Sequence, residues 1–154
     1  MAAAKHALLI GVADSPKIRK HPSRTIRRLY RILRGCDEDV DLMRDLLVER
    51  FGFANDAPLT QVLKTREATQ EAILTAVDGL VERVGRGDVV VVYYSGHGSR
   101  MRDPCAPERW LETIVPYDSS RGPEENRDIP DLEIDRWVRR AEESRFLSSF
   151  AEME

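Results

Sequence analysis

The stretch Gly87–Asp103, GDVVVVYYSGHGSRMRD, decides the fold of this 154-residue chain. Residues 89–94 form an apolar run, and no charged or strongly polar residue in it indicates a solvent-exposed face. Such a run is typical of a central strand in a parallel sheet that helices cover on both faces. The run ends in Gly96 and Gly98 on either side of His97. The sequence therefore predicts a buried strand that presents an imidazole at its own tip.

Strand and helix patterns alternate along the rest of the chain, with helices that begin at Thr69 and Asp131 as capping residues. The predicted strands are Lys5–Val12, Leu59–Lys64, Val89–Tyr94 and a short extended piece at Glu112–Pro116, and the first predicted helix is Asp37–Arg50. Alternation of this kind predicts a doubly wound α/β domain with a mostly parallel sheet. We expect one such domain over residues 1–154.

The buried face of each predicted helix follows from its apolar stripe. In the first helix the stripe is Val40, Met43 and Leu47, widened by Leu42 and Leu46. In the third helix it comprises Ile134, Trp137, Val138 and Ala141.

Composition excludes several classes of protein. A net charge of -3, with 42% hydrophobic and 33% charged residues, is ordinary for a globular domain and argues against disorder. Two cysteines without CxxC spacing imply neither a disulfide framework nor a zinc cluster. The N-terminal apolar run is too short to span a bilayer and makes a poor signal peptide. We therefore expect a cytoplasmic protein with no membrane segment.

A basic insertion occupies residues 13–34. Asp14 is its one acidic residue, and Pro16 and Pro22 interrupt its first half. The segment is either a solvated surface insertion or a surface for an acidic or nucleic-acid partner, and charge alone does not decide between them. Since the overall charge favours no polyanion, we do not expect nucleic acid. The cations are Lys17, Arg19, Lys20, Arg24, Arg27, Arg28, Arg31 and Arg34.

Placed at the carboxyl end of a central strand, His97 lies where parallel sheets carry ligands and catalytic groups. The flanking glycines would let the chain turn sharply and leave the ring accessible. The ring is then a general base for a nucleophile from a neighbouring strand, or a turn histidine without a chemical role. A phosphate-binding loop is excluded because Gly98 is followed by Ser99, Arg100 and Met101. The histidines and cysteines also lack metal-ligand spacing.

Six pieces of the chain, taken in order, resemble the caspase-like cysteine peptidases, and in particular the bacterial and metacaspase branch of peptidase family C14. This resemblance implies a three-layer α/β/α caspase-like fold and proteolysis of a protein or peptide substrate. The pieces are KHALLIGV (5–12), LRGCDEDVDLM (33–43), FGF (51–53), EATQEAI (67–73), GDVVVVYYSGHGS (87–99) and ETIVPYDS (112–119).

The resemblance also implies roles for individual residues. His97 corresponds to the base of a Cys-His dyad, and Gly98 to the residue whose N–H helps to hold the oxyanion. Asp39 and Ser95 match positions that line a pocket for an Arg or Lys side chain at P1. The alternative for Asp39 is a charge that suits a helix N-terminus. The alternative for Ser95 is a small residue that merely fits.

The family's nucleophile has no counterpart in these 154 residues. It lies in a DxCxxG-like element at the end of the next strand, whereas Trp137 is followed by VRRAEESRFLSSFAEME. Cys36 matches a cysteine that is not the nucleophile, and we expect it to be buried; Cys105 matches no family position. The resemblance thus predicts a sheet that is incomplete beside residues 89–94, an atypical tail at 140–154, and no activity for this chain alone.

An incomplete sheet would leave an apolar strand edge open to self-association or to a complementary chain. Three hypotheses follow: an endopeptidase unit that another segment completes, a non-catalytic module that regulates a full-length relative, or a truncated gene product.

No cofactor is expected, although some metacaspases bind calcium. Glu112 and Asp131 match two of the acidic positions used, with Glu133 nearby. Leu111 and Leu132 stand where further carboxylates are expected, which predicts a weak site at best.

Overall fold

The computed structural model describes residues 3–122 and 125–151, with side chains up to residue 143. Every strand and helix predicted above is present, with ends that differ by a few residues. The elements are β1 (Lys5–Gly11), α1 (Pro16–Arg19), α2 (Arg24–Leu29), α3 (Cys36–Phe51), β2 (Thr60–Lys64), a 3-10 turn (Thr65–Glu67), α4 (Gln70–Arg83), β3 (Val89–Ser95), β4 (Gly98–Asp103), β5 (Ala106–Ile114), β6 (Ile129–Pro130) and α5 (Asp131–Ala151).

A parallel sheet of order β2-β1-β3 forms the middle layer. Alternate residues of β1 point to opposite faces, because side chains on a strand alternate with a period of two. Leu8 and Ile10 pack with α4 and α5, whereas Ala7 and Leu9 pack with α3. The three-layer α/β/α prediction is therefore confirmed.

Helix α3 is capped at both ends by glycines with positive φ, Gly35 at 104° and Gly52 at 67°. Its contact with the sheet is narrower than the sequence predicts. Leu42 and Leu46 are 68% and 46% exposed, so the prediction that they widen the buried stripe is wrong. A single helix lying on a twisted sheet buries only the residues directly beneath its axis, and here these include Val40.

The second sheet, of antiparallel order β4-β5-β6, was not foreseen as a sheet. The predicted extended piece at 112–116 is the end of the nine-residue strand β5. Strand β4 was not predicted because its outward side chains, Arg100 and Arg102, give it the charged sequence that is typical of a solvated loop. Both guanidinium groups stack on Trp110, with Cζ atoms 5.1 and 3.8 Å from the ring centroid. This stacking keeps the outer face of the hairpin ordered.

Helix α5 takes Asp131 as its first residue, so Asp131 is not the capping residue that the sequence predicted. Trp137 is buried in the core, as expected, but Val138 is 53% exposed. Within the predicted tail, residues 140–151 continue α5, and residues 152–154 lie outside the described residues. Among the described residues, no helix has both the length and the apolar composition to cross a bilayer.

One edge of β3 pairs with β1, and within the described residues no strand pairs with its other edge. Val92 is 49% exposed on this strand. An apolar groove of about 290 Å³ lies beside it, between β3, α4 and α5, and Val92 and Val138 both line it. The exposure of Val138 thus belongs to the same surface as the open edge.

Candidate active site

His97 lies in the turn between β3 and β4, half-buried, at the carboxyl end of the parallel sheet. Its Nε2 atom is 2.7 Å from the carbonyl oxygen of Arg31. A carbonyl can only accept, so this geometry assigns the proton to Nε2. In the neutral imidazole Nδ1 then carries the lone pair and is the nitrogen available as a base.

Tyr30 holds the same histidine from the side. The two rings meet edge to face, with centroids 5.3 Å apart and an interplanar angle of 61°. The Tyr30 hydroxyl lies 2.7 Å from Oγ of Ser99, two residues beyond the histidine. Arg121 covers the Tyr30 ring, with Cζ 4.4 Å from its centroid. The side chains of His97, Tyr30, Ser99 and Arg121, from three parts of the chain, therefore form one stack of contacts.

The far end of this stack is fixed by Asp128, which is buried. Nη1 of Arg121 donates to Oδ1 of Asp128 at 3.0 Å. Ser119 and Thr113 also donate to this carboxylate, at 2.6 and 3.0 Å. A buried carboxylate with three donors is well satisfied, and it holds one nitrogen of the guanidinium. Nε and Nη2 of Arg121 are buried without a hydrogen-bond partner among the described residues.

The turn that carries His97 is tied to β5 through Tyr94. The Tyr94 hydroxyl donates to the carbonyl oxygen of His97 at 2.8 Å and accepts from the amide of Val115 at 3.2 Å. Burial raises the pKa of Tyr94 well above its usual range, so the hydroxyl remains a donor at any physiological pH. The imidazole is therefore presented on a turn that is cross-linked by hydrogen bonds.

Neither glycine beside the histidine has positive φ, so the turn does not use the left-handed conformations that glycine allows. A Cβ at Gly96 would overlap the Tyr94 hydroxyl, so close packing explains this glycine. A Cβ at Gly98 would meet nothing closer than 3.6 Å, the carbonyl oxygen of Thr113. Local packing thus does not require glycine at position 98.

The backbone of Gly98 faces away from the hairpin. The amide of Val115 donates to the carbonyl of His97 at 3.1 Å, and Gly98 pairs with Ile114 in the register of β4 with β5. In antiparallel pairs, hydrogen-bonded and non-hydrogen-bonded residues alternate. Because the backbone of His97 is hydrogen-bonded to β5, the N–H of the next residue, Gly98, points away from β5 and remains available to a ligand.

The two residues predicted to line a P1 pocket touch each other. Oγ of Ser95, the last residue of β3, donates to Oδ2 of Asp39 at 2.9 Å. Asp39 lies in the first turn of α3 and is exposed. Gly11 makes this meeting possible, since a Cβ there would lie 2.8 Å from the Cys36 carbonyl oxygen. The glycine lets the start of α3 approach the end of β1, which pairs with β3.

The family model described as "Metacaspase, peptidase C14 domain" matches residues 5–150. This chain belongs to that family. Metacaspase-7 of Arabidopsis thaliana is 36% identical over 132 residues, which are 83% of this chain and 28% of the relative. Metacaspase-4 of the same plant is 41% identical over 93 residues, which are 56% of this chain and 22% of the relative.

The fold has a counterpart among solved structures. A Geobacter sulfurreducens protein of known crystal structure superimposes with a TM-score of 0.66 at 23% identity, over 89% of this chain and 45% of that one. This metacaspase chain thus spans less than a third of those two curated relatives and less than half of that structural neighbour.

The two cysteines of this metacaspase chain differ in their surroundings. Cys36 is buried at the start of α3, as expected. Cys105 is exposed in the turn at the far end of the β4-β5 hairpin. The six residues of β4 place that turn about 20 Å from the histidine end of the strand.

The calcium candidates do not form a ligand set among the described residues. Glu112 and Asp131 are next in sequence to Thr113 and Pro130, which pair in the register of β5 with β6. Oδ1 of Asp131 accepts the Leu132 amide. Among the described residues, no group of three His, Cys, Asp or Glu side chains is placed to hold a metal ion. A hard cation needs more oxygen ligands than this pair offers.

Proposed function

We propose that this chain is the part of a metacaspase-type cysteine endopeptidase that supplies the base, the oxyanion donor and the P1 pocket. The nucleophilic thiol comes from a strand that pairs beside β3, contributed by sequence outside these 154 residues or by a second chain. The observation that carries the proposal is the 2.7 Å contact between Nε2 of His97 and the carbonyl oxygen of Arg31, which assigns the proton to Nε2 and leaves Nδ1 as a lone-pair nitrogen at the carboxyl end of the sheet.

In the proposed reaction the thiol proton moves to Nδ1 of His97, and the thiolate attacks the scissile carbonyl carbon. The carbonyl oxygen becomes an oxyanion that accepts a hydrogen bond from the N–H of Gly98. Nδ1 then returns its proton to the leaving amine as the C–N bond breaks. A water molecule, deprotonated by the same nitrogen, hydrolyses the thioester and releases the acid and the thiol.

Asp39 is the proposed specificity determinant for basic P1 residues. Only Oδ2 of its exposed carboxylate accepts the Ser95 hydroxyl, so Oδ1 is left for an incoming cation. The serine bond fixes the carboxylate in one orientation, which favours a bidentate or charge-assisted contact with Arg or Lys. An Arg or Lys preference at P1 follows.

The open edge of β3 and its apolar groove support the proposed position of the completing strand. Val92 and Val138 are half-exposed on the same surface, and a paired strand would cover both. Strand addition satisfies the free backbone groups of an edge and buries its apolar side chains together. The same edge is the surface through which two copies of this chain would associate in the absence of that strand.

The experiment is to fuse this chain to the part of Arabidopsis Metacaspase-7 that follows the matched region, where the family pattern would put the DxCxxG-like element. We expect hydrolysis of peptides with Arg or Lys at P1 and none with Asp at P1. The change His97→Ala should abolish hydrolysis, and His21→Ala, in a surface segment, should not. Hydrolysis that survives His97→Ala would refute the assigned base.

A binding role without catalysis is the second candidate, and the exposed apolar groove beside β3 favours it. A regulatory module would capture a full-length relative through this edge whether or not His97 is present. Co-purification that is equal for the natural chain and for His97→Ala, combined with an inactive fusion, would support this second candidate over the first.

A further inference from the structure

The segment between β1 and α3 is strongly basic in a chain that is otherwise acidic. Residues 13–34 contain eight Lys and Arg residues and one Asp, a charge of +7. Because the whole chain carries -3, the remaining residues carry -10. Such asymmetry concentrates a positive potential on one part of the surface.

Most of these cations have no carboxylate to balance them. Arg19 pairs with Asp14 at 3.0 Å, and Arg27 donates to two backbone carbonyls of its own segment. The other six lie within ion-pair distance of no carboxylate among the described residues, and all six are exposed. They are Lys17, Lys20, Arg24, Arg28, Arg31 and Arg34.

Two large apolar side chains are exposed among these cations, Leu29 by 66% and Ile32 by 51%. Leu29 also lines a hollow of about 380 Å³ together with Arg24 and Arg28, which are one helical turn apart on α2. We call Arg24, Arg28, Leu29 and Ile32 the basic surface. It combines unpaired guanidinium groups with apolar contact area.

The basic surface borders the proposed active site. The carbonyl oxygen of Arg31 bonds Nε2 of His97, and the Tyr30 ring packs on the imidazole. Both residues lie between Leu29 and Ile32 in sequence. When a peptide is bound at His97, residues only a few positions from its scissile bond can therefore reach the basic surface. An extended chain advances about 3.3 Å per residue.

We propose that the basic surface is a docking site for an acidic stretch of a protein substrate, in which carboxylates alternate with apolar side chains. The inference rests on the proposed peptidase function and adds a substrate class to it. The planar guanidinium groups of Arg24 and Arg28 suit carboxylates, and Leu29 and Ile32 suit the apolar residues between them. The positive field also speeds encounter with an acidic protein.

Two other polyanions fit this surface less well. Single-stranded nucleic acid is held by bases that stack on exposed aromatic rings. The one aromatic residue of this segment, Tyr30, is already packed between His97 and Arg121. A membrane surface is bound by longer amphipathic helices, whereas α2 has six residues.

The test is a binding measurement on the 154-residue chain, which needs no thiol and no catalysis. The probe is a fluorescein-labelled 12-residue peptide of alternating Glu and Leu, followed by anisotropy at increasing salt. We expect saturable binding that weakens with salt, and no binding of the matched peptide with Gln in place of Glu. The double variant Arg24→Gln/Arg28→Gln should bind roughly tenfold more weakly.

The matched control removes two arginines from α5 instead, Arg136→Gln/Arg139→Gln, and should leave binding within about twofold of the natural chain. Equal binding of the Gln peptide, or equal losses for the two double variants, would overturn the proposal. So would tighter binding of a 12-nucleotide oligouridine, or of phosphatidylserine vesicles, than of the acidic peptide. Any of these outcomes leaves the peptidase proposal standing, because the fusion tests that separately.

Discussion

The Nε2 atom of His97 and the carbonyl oxygen of Arg31 are joined by a hydrogen bond of 2.7 Å, although the residues are 66 positions apart in sequence. This bond decides which ring nitrogen is left to accept a proton. Tyr30 precedes Arg31 and packs on the same imidazole, so a single short stretch fixes both the tautomer and the orientation of the ring.

Tyr30 should therefore act as a positioning residue for His97. Replacing Tyr30 by Leu removes the ring contact and the Ser99 bond, and frees the neighbouring carbonyl to move. We expect the population of the Nε2-protonated tautomer to fall, as read from the ¹⁵N shifts of the His97 ring. Tyr30→Phe keeps the stack on Arg121 and should change the tautomer little. Identical spectra for the Leu variant and the natural chain would contradict this role.

Asp39 should determine the binding of basic P1 residues. Asp39→Asn removes the charge but leaves an acceptor for Ser95. Loss of a charge-assisted contact typically costs about 1.5–3 kcal/mol, so we expect the affinity for a peptide ending in argininamide to fall roughly 10- to 100-fold. The control is Asp45→Asn, an exposed residue of the same helix that pairs with Arg44. Calorimetry that gives equal affinities for the two variants would exclude the assigned pocket.

The Tyr94 hydroxyl should stabilise the turn that carries His97. Tyr94→Phe leaves the His97 carbonyl without this donor and the Val115 amide without this acceptor. We expect the free energy of unfolding, measured in urea, to fall by about 0.5–1.5 kcal/mol, since the Val115 amide keeps its bond to the His97 carbonyl. Tyr93→Phe, one residue earlier on β3, should cost less, since its hydroxyl makes no hydrogen bond to the turn in the part of the chain that the structure describes. Similar losses for the two variants would refute the anchoring role.

Asp88 should make stability depend on pH in the acid range. The amides of Gly85 and Ala4 donate to its carboxylate at 2.8 and 2.7 Å, and His6 lies at 3.1 Å. The Gly85 bond is the largest cause of a pKa below the usual Asp value. The carboxylate therefore contributes stability above the unfolded-state pKa of about 3.9, and this contribution is lost as the pH falls through the lower folded-state value.

The comparison with Asp88→Asn isolates this contribution, because Asp41 and Asp103 also have lowered pKa values and act in the same direction. Urea denaturation from pH 6 down to pH 2 should show the natural chain losing more stability than the variant. Parallel curves for the two proteins would show that Asp88 does not contribute.

Local sequence patterns predicted the parallel sheet and its helices well, because each element carries its own signal. The uniform apolar run of β3 and the Thr69 cap, which accepts the Ala72 amide at 3.2 Å, are examples. Ser95 and Asp39, which only the resemblance singled out, form a hydrogen bond with each other.

Contacts between distant segments escaped prediction. Nothing local in residues 13–34 indicates that Tyr30 would pack on His97, or that Arg121 would pack on Tyr30 in turn. Strand β4 escaped for a related reason, since its outward arginines are ordered by Trp110 across the hairpin and by no local pattern. Both features arise from tertiary contacts that no window of sequence contains.

The central claim is that His97 is the base for a thiol carried by a strand beside β3. Its most direct test is the pH dependence of iodoacetamide alkylation of the DxCxxG cysteine in the fusion with the Metacaspase-7 segment. A thiol beside a positioned imidazole should react rapidly well below its ordinary pKa of about 8.5, and His97→Gln should return the profile to that value. The same profile with and without His97 would contradict the claim.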